Sequence, residues 1–351
     1  MPRYARCALR YSLIATTLSL AGLFAQAADA AGTRYLLALS KTDHTLSIVE
    51  PVSLRVLARL PVGPNPHEVT TSTDGRLAYV SNPGNNDLHE IDVLDLVHRK
   101  VLSPLDTLPL LGPHGLQYLD GKLWFTAQGS KAIGRFDTAT RQLEWAMGTG
   151  QEFTHLLHVT PDAQAVYTTN AFSGTVSVFN HVLEQPVMPP SGKLPPTAQA
   201  HWDWQLHQVP VDISSEGFDV SPDERELWTV SAQGVVSIID PARHERISTL
   251  NTGIEGAHRL KFTPDGRKVA IVSVKTGAVV YFDTATRREI ARTTVKPGDT
   301  IAMDMVGNRL FVSCPLDDIV TVIDNASMQP VAYVNVGGRP DGLAFVEVPD
   351  R

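Results

Sequence analysis

The chain has 351 residues, 43% of them hydrophobic, with 24 prolines, 25 glycines and a formal net charge of −7. Such a composition excludes a disordered chain and describes an ordered one rich in turns. The acidic balance argues against nucleic acid or an anionic membrane surface as a partner.

The N-terminus reads as a processing segment. Arg3, Arg6 and Arg10 form a basic stretch, Tyr11 to Ala25 an apolar one, and Ala25-Gln26-Ala27 a small-x-small cleavage site. A signal peptide over residues 1–27 is expected, with cleavage after Ala30 as the alternative. The apolar run is short for a membrane span. Export to the periplasm, or secretion, follows. Loss of the three arginines would take the charge to −10, with 27 basic residues against 37 acidic. Cys7 would leave as well, so Cys314 would be the sole cysteine and no intramolecular disulfide could form. An inert, partly buried thiol is expected there.

The mature chain opens on two β-rich runs, Tyr35-Leu36-Leu37-Ala38-Leu39 and Thr45-Leu46-Ser47-Ile48-Val49. Beyond them a repeat sets in. A short apolar strand begins after His67, His114, His155, Glu216, His258, Asp299 and Asp341, at intervals of 47, 41, 61, 42, 41 and 42 residues. Turns such as Ser72-Thr73-Asp74-Gly75 and Thr263-Pro264-Asp265-Gly266 lead to a second strand, then a third that usually ends in an acid or amide. Those end residues are Glu50, Asp92, Asp137, Asn180, Asp240, Asp283 and Asp324. A more polar fourth run reads as an outer edge strand.

Self-similarity at 40 to 45 residues with β-type units predicts an all-β, seven-bladed β-propeller with four-stranded antiparallel blades. The two N-terminal strands lack an inner strand, and Asp341 begins an inner strand with nothing after it. The N- and C-terminal strands should therefore share one blade and close the ring. Residues 28–351 form a single domain on this reading, with an insertion near residues 181–210. That insertion carries five prolines between residues 186 and 196, then His201-Trp202-Asp203-Trp204. A long loop bearing two tryptophans is a candidate lid or partner contact, or packs against its own blade.

Leu77-Ala78-Tyr79-Val80-Ser81-Asn82, Ala165-Val166-Tyr167-Thr168-Thr169-Asn170 and Leu310-Phe311-Val312-Ser313 resemble the motif of the YVTN β-propeller repeat family. Thr175-Val176-Ser177-Val178-Phe179 and Ile319-Val320-Thr321-Val322-Ile323-Asp324 are similar to its following strand. The resemblance spans nearly the whole mature chain and implies a periplasmic seven-bladed propeller. Family members include surface-layer and periplasmic binding proteins, so it implies fold rather than one chemistry.

One residue per blade at equal depth would form a ring at the channel mouth. Imidazole and carboxylate suit a transition metal ion such as Zn or Cu. His67, His114, His155 and His258 are the expected metal ligands, and Glu216, Asp299, Asp341, Arg259 and Arg339 the expected binders of a small ligand. The plain alternative is a solvated polar lining. A catalytic alternative, on the pattern of propeller lactonases and lyases, uses His155, Glu216 and Arg259, with Arg339 as a second anion clamp. The remaining reading is an interaction scaffold that engages a protein partner through the channel face or the Trp-bearing insertion.

Overall fold

The computed structural model describes residues 32–295 and 299–350. The expected signal peptide over residues 1–27, with its cleavage site and Cys7, lies outside the described residues. Seven four-stranded antiparallel sheets form the fold. In blade 1 the C-terminal strand Pro340–Val348 is innermost and pairs with Thr33–Ser40, followed by Thr45–Val49 and Val56–Pro61. Blades 2 to 7 begin with the inner strands Val69–Thr71, Pro113–Leu119, Thr154–Val159, Ser215–Val220, Ala257–Phe262 and Met303–Val306. Each inner strand touches the inner strands of the neighbouring blades, and the last touches Pro340–Val348, which closes the circle.

Burial explains why these segments take these places. Middle strands such as Leu227–Ser231 and Ala165–Asn170 are buried along their whole length, since both sheet faces lie against other blades. Outer strands such as Gln142–Gly148 alternate between exposed and half-buried residues. The hydrophobic clusters sit between blades rather than within them. Leu37, Leu46 and Ile48 of blade 1 pack with Val69, Ala78 and Leu94 of blade 2, and Leu36 and Val49 pack with Phe311 and Val322 of blade 7. An open array would expose one such cluster at each end, so the terminal strand exchange completes the last core.

The predicted turns share one hydrogen-bond pattern. Ser72, Thr160, Ser221 and Thr263 donate their hydroxyls to Asp74, Asp162, Asp223 and Asp265 at 2.6–2.7 Å. The same oxygens accept the amide at the start of the next strand, at 2.9–3.0 Å. Glu50, Asp137, Asp240, Asp283 and Asp324 cap turns as expected. Asn180 instead lies within the lengthened strand Thr175–Glu184 and meets His244 Nε2 at 2.8 Å, and Asp92 is displaced from the role. In blade 2 that role falls to Asp95, which accepts the His98 amide at 2.8 Å. Asp92 instead accepts the Gly63 amide of the preceding blade connection at 2.6 Å.

Cys314 is fully buried and unpaired, and burial pushes its thiol up to about 11. It should stay unlabelled by a thiol reagent under native conditions and react fully in denaturant, which a mass shift reads directly. Labelling of the native protein at the denatured rate would contradict this placement. Among the described residues no helix is long and apolar enough to cross a membrane.

The insertion is an extended hairpin. Thr175–Glu184 and His201–Pro210 pair without interruption to Glu184↔His201, four residues past the blade's usual end at Asn180. Inner strand Thr154–Val159 begins at the ring end, and Val159 pairs with Val166, which is next to Ala165, the partner of Asn180. The hairpin tip therefore projects from the face opposite the ring and is no lid over it. Trp204 packs 5.3 Å from Trp145 and 6.1 Å from Trp124, both in blade 3, while Trp202 is 59% exposed. Trp204 thus reaches a neighbouring blade, while Trp202 lies 5.0 Å from His181 of its own hairpin.

Candidate functional site

At the ring end of the axis lies a cavity of about 390 Å³ whose wall includes His67, His114, His155, Glu216, His258, Arg259 and Asp341. Six of the seven predicted ring positions meet there. The seventh does not: Asp299 accepts the Leu316 amide at 3.0 Å, and Ile301 lines the cavity in its stead. Backbone register gives the reason. The His67 amide donates to Ser81 O at 3.0 Å, and the equivalent bond in blade 7 runs from Ile301 to Ser313 O at 3.0 Å. Asp299 therefore precedes the true ring position by two residues. Arg339 is exposed, has φ of 52° and is not part of the cavity wall.

Two devices hold the ring in place. Hydroxyls from the second strand of one blade donate to the ring-position carbonyl of the next: Thr126 to His155 O, Thr169 to Glu216 O and Ser313 to Asp341 O, at 2.5–2.9 Å. Glycines allow the strands to approach. A Cβ on Gly115, Gly217 or Gly342 would lie 2.7, 2.2 or 2.3 Å from the carbonyl oxygen of His155, His258 or His67. Only glycine fits such a separation.

The histidines form a continuous aromatic arc. Ring centroids are 4.7 Å apart for His67 and His114, 4.1 Å for His114 and His155, and 5.0 Å for His155 and Phe153. His114 and His155 are 2% and 4% exposed. Burial, with the neighbouring His155 and His67, holds His114 well below the usual imidazole range. Burial and the Arg259 charge do the same for His155. His67 is pushed down to about 4 by burial, against the upward pull of Asp341 and with help from the cations Lys41 and Arg259. Three neutral imidazoles thus line one side of the chamber at pH 7.

Their partners fix which nitrogens are free. The Gln128 amide Nε2 lies 2.7 Å from His155 Nδ1, so the amide donates and the imidazole proton sits on Nε2. That Nε2 is 3.6 Å from Glu216 Oε2, beyond a hydrogen bond, and has no other partner. His114 Nδ1 is likewise unpaired. On the other side, His258 Nδ1 donates to Ile301 O at 2.8 Å while its Nε2 lies 3.0 Å from Glu216 Oε2. Burial alone would raise the Glu216 carboxyl, but the His258 hydrogen bond and the Arg259 charge bring it below its usual value. Lys41 joins Asp341 at 2.5 Å and His67 Nδ1 at 3.2 Å.

Arg259 is buried and paired with Glu68 across the channel. It lines both this chamber and a second axial cavity of about 280 Å³ further along the inner strands, which contains Asp219, Lys261 and Asp304. The ion pair stands between the two.

Lys41, Gln128, Glu68 and Phe153 were not anticipated. A signal existed for two of them. The residue directly after each second strand runs Lys41, Pro83, Gln128, Ala171, Ala232, Val274 and Pro315, and only Lys41 and Gln128 carry polar side chains. Metal-ligating geometry is not assembled at the ring as it stands. Among the described residues, the group of at least three donors all within 4.8 Å of one another is Glu184, His201 and Asp203, far along the insertion hairpin.

Fold and chamber together define a seven-bladed propeller with a histidine-lined axial cavity. No protein-family model matches the chain, and no curated protein matches it by sequence. Solved structures do. A putative 6-phosphogluconolactonase from Bacteroides fragilis is similar at a TM-score of 0.68 and 14% identity, over 90% of this chain and 98% of that one. The dihydro-heme d1 dehydrogenase NirN in complex with DHE is similar at 0.61 and 15%, over 88% and 74%. Hydrazine synthase of Kuenenia stuttgartiensis is similar at 0.63 and 16%, over 79% and 88%. Likeness at these identities establishes the propeller fold.

Proposed function

We propose that the chain is an exported, YVTN-type propeller that binds a ligand in the axial chamber and works alongside a protein partner. The observation that carries this reading is the pair of buried, neutral imidazoles with unpartnered nitrogens, His114 Nδ1 and His155 Nε2. Buried polar atoms are normally paired, and each unpaired one costs roughly 1–3 kcal/mol. A ligand that bonds to them, after small shifts of the rings, would recover that cost.

The ligand is a small polar molecule or a transition metal ion such as Zn or Cu. Neutral imidazole is the right donor for either metal. His67, His114, His155 and His258 would hold the ion, with Glu216 and Asp341 beside them, once the rings turn to converge. The His155 proton would then move from Nε2 to Nδ1, where a reversed Gln128 amide would accept it through its oxygen. Arg259 contributes charge to the chamber rather than a free anion clamp, because Glu68 already occupies it. A partner would meet the channel face or the exposed Trp202 hairpin.

Metal analysis and ligand-dependent melting of the purified protein test this, with His67→Ala plus His114→Ala as the comparison. Uptake or stabilisation that is lost in the double variant is expected. If no metal or small polar ligand distinguishes the two proteins, the chamber is a solvated lining only.

A second reading is enzymatic. Glu216 Oε2 lies between His155 Nε2 and His258 Nε2, an acid–base arrangement of the kind a lactonase or lyase uses, and the similar structures include a dehydrogenase and a putative lactonase. Turnover of a lactone or unsaturated acid that disappears in Glu216→Gln would establish it over binding alone.

A further inference from the structure

The insertion hairpin carries a second constellation, remote from the axis. Glu184 and His201 are directly paired across the two strands, and Asp203 lies two residues beyond His201. Alternation along a strand places all three side chains on one face of the ribbon. Their donor atoms lie within 4.8 Å of one another. Each carboxylate is oriented by a hydrogen bond: Gln205 Nε2 donates to Glu184 Oε1 at 3.0 Å, and the Trp204 amide to Asp203 Oδ1 at 2.8 Å. Each keeps a second oxygen.

Charge points the same way. Two carboxylates are held close together, yet among the described residues neither forms an ion pair with a lysine, arginine or histidine. The uncompensated negative charge beside an imidazole calls for a cation. An imidazole with two carboxylates selects a borderline divalent ion such as zinc over calcium or magnesium, which take oxygen ligands. The position also has a structural meaning. Glu184 and His201 are the last paired residues before the chain leaves for the proline-rich excursion of residues 185–200 and the first after it returns.

We propose that Glu184, His201 and Asp203 form a divalent transition-metal site that clamps the neck of this excursion. The ion bridges the two strands and leaves coordination positions open to solvent, where a donor from outside the chain could complete them. This site is independent of the axial chamber and does not rely on the reading given for it.

Zinc titration by calorimetry on the full chain tests it, with four proteins compared: wild type, His201→Ala, Glu184→Gln plus Asp203→Asn, and His67→Ala plus His114→Ala. Wild type and the ring variant should each bind a zinc equivalent that is weakened at least tenfold in His201→Ala and in the carboxamide variant. Zinc should also slow proteolysis within residues 185–200 in wild type and leave the rate in His201→Ala unchanged. Zinc binding lost in the ring variant and retained in His201→Ala would overturn this site in favour of the axial one. Absence of zinc binding to wild type would overturn it as well, and leaves a small-molecule axial ligand untouched.

Discussion

Lowering the pH from 7 to 5 is expected to remove folding stability, about 2 kcal/mol through His67 alone, with His114 and His155 adding losses of the same sign. All three have folded-state values depressed by burial, His67 to about 4 and the others well below the ordinary range. The unfolded chain binds their protons near pH 6.5, whereas the folded chain refuses them. Between the two values the unfolded state holds more protons, so stability falls as the pH falls. Each histidine then costs about 1.4 kcal/mol per pH unit. Glu68 and Asp219 oppose this, since burial raises their carboxyls and their protonation relieves the folded state in acid. Glu216, held low, adds to the loss at still lower pH. Set against a typical total of about 5–15 kcal/mol, the histidine effect is a substantial fraction of the whole, reduced by what Glu68 and Asp219 return. Denaturant unfolding at pH 7, 6 and 5 measures it. His114→Phe keeps an aromatic ring in the arc but removes one titration, so its loss of stability between pH 7 and 5 should be visibly smaller than that of wild type. An unchanged loss in that variant would show that the ring histidines do not control acid stability.

The second large effect concerns a methyl group. Gly217→Ala should cost about 3 kcal/mol or more, because its Cβ would stand 2.2 Å from His258 O and 2.6 Å from Arg259 Cα. Both obstacles are backbone, so no side chain can swing aside. Blades 5 and 6 must part, and the Glu216–His258 contact at 3.0 Å must lengthen with them. Gly148→Ala supplies the control, since its Cβ would meet nothing nearer than Lys131 O at 4.0 Å. It should lie within about 0.5 kcal/mol of wild type. Urea midpoints for the two variants decide the matter. A Gly217→Ala protein as stable as Gly148→Ala would mean that blade spacing is softer than the glycine positions imply.

The fold was legible because a propeller writes itself into local pattern. Ser/Thr-x-Asp turns, wholly apolar middle strands and a repeat near 42 residues are each short-range signals, and they recur often enough to reinforce one another. The unmatched strands at the two termini predicted closure for a physical reason: inter-blade cores leave a bare face unless the ring is completed. At the site, the same logic located six of seven ring positions. It slipped at Asp299 because an acid two residues early looked like the other acids, while the residue that fills the place, Ile301, carries no polar signature. Only the amide bond from Ile301 to Ser313 O reveals the register.

Sequence by itself determined the blade count, the strand order, the terminal exchange and the concentration of histidine on consecutive blades, since all of these depend on periodicity and alternation. Tertiary structure decided what those residues are chemically. Burial makes three imidazoles neutral, Glu68 takes up Arg259, Lys41 and Gln128 enter from a turn and a short 3-10 helix that follow second strands, and the insertion points away from the chamber. Those properties arise from which blades face each other across the axis and how much water they exclude. No window of one repeat contains that information.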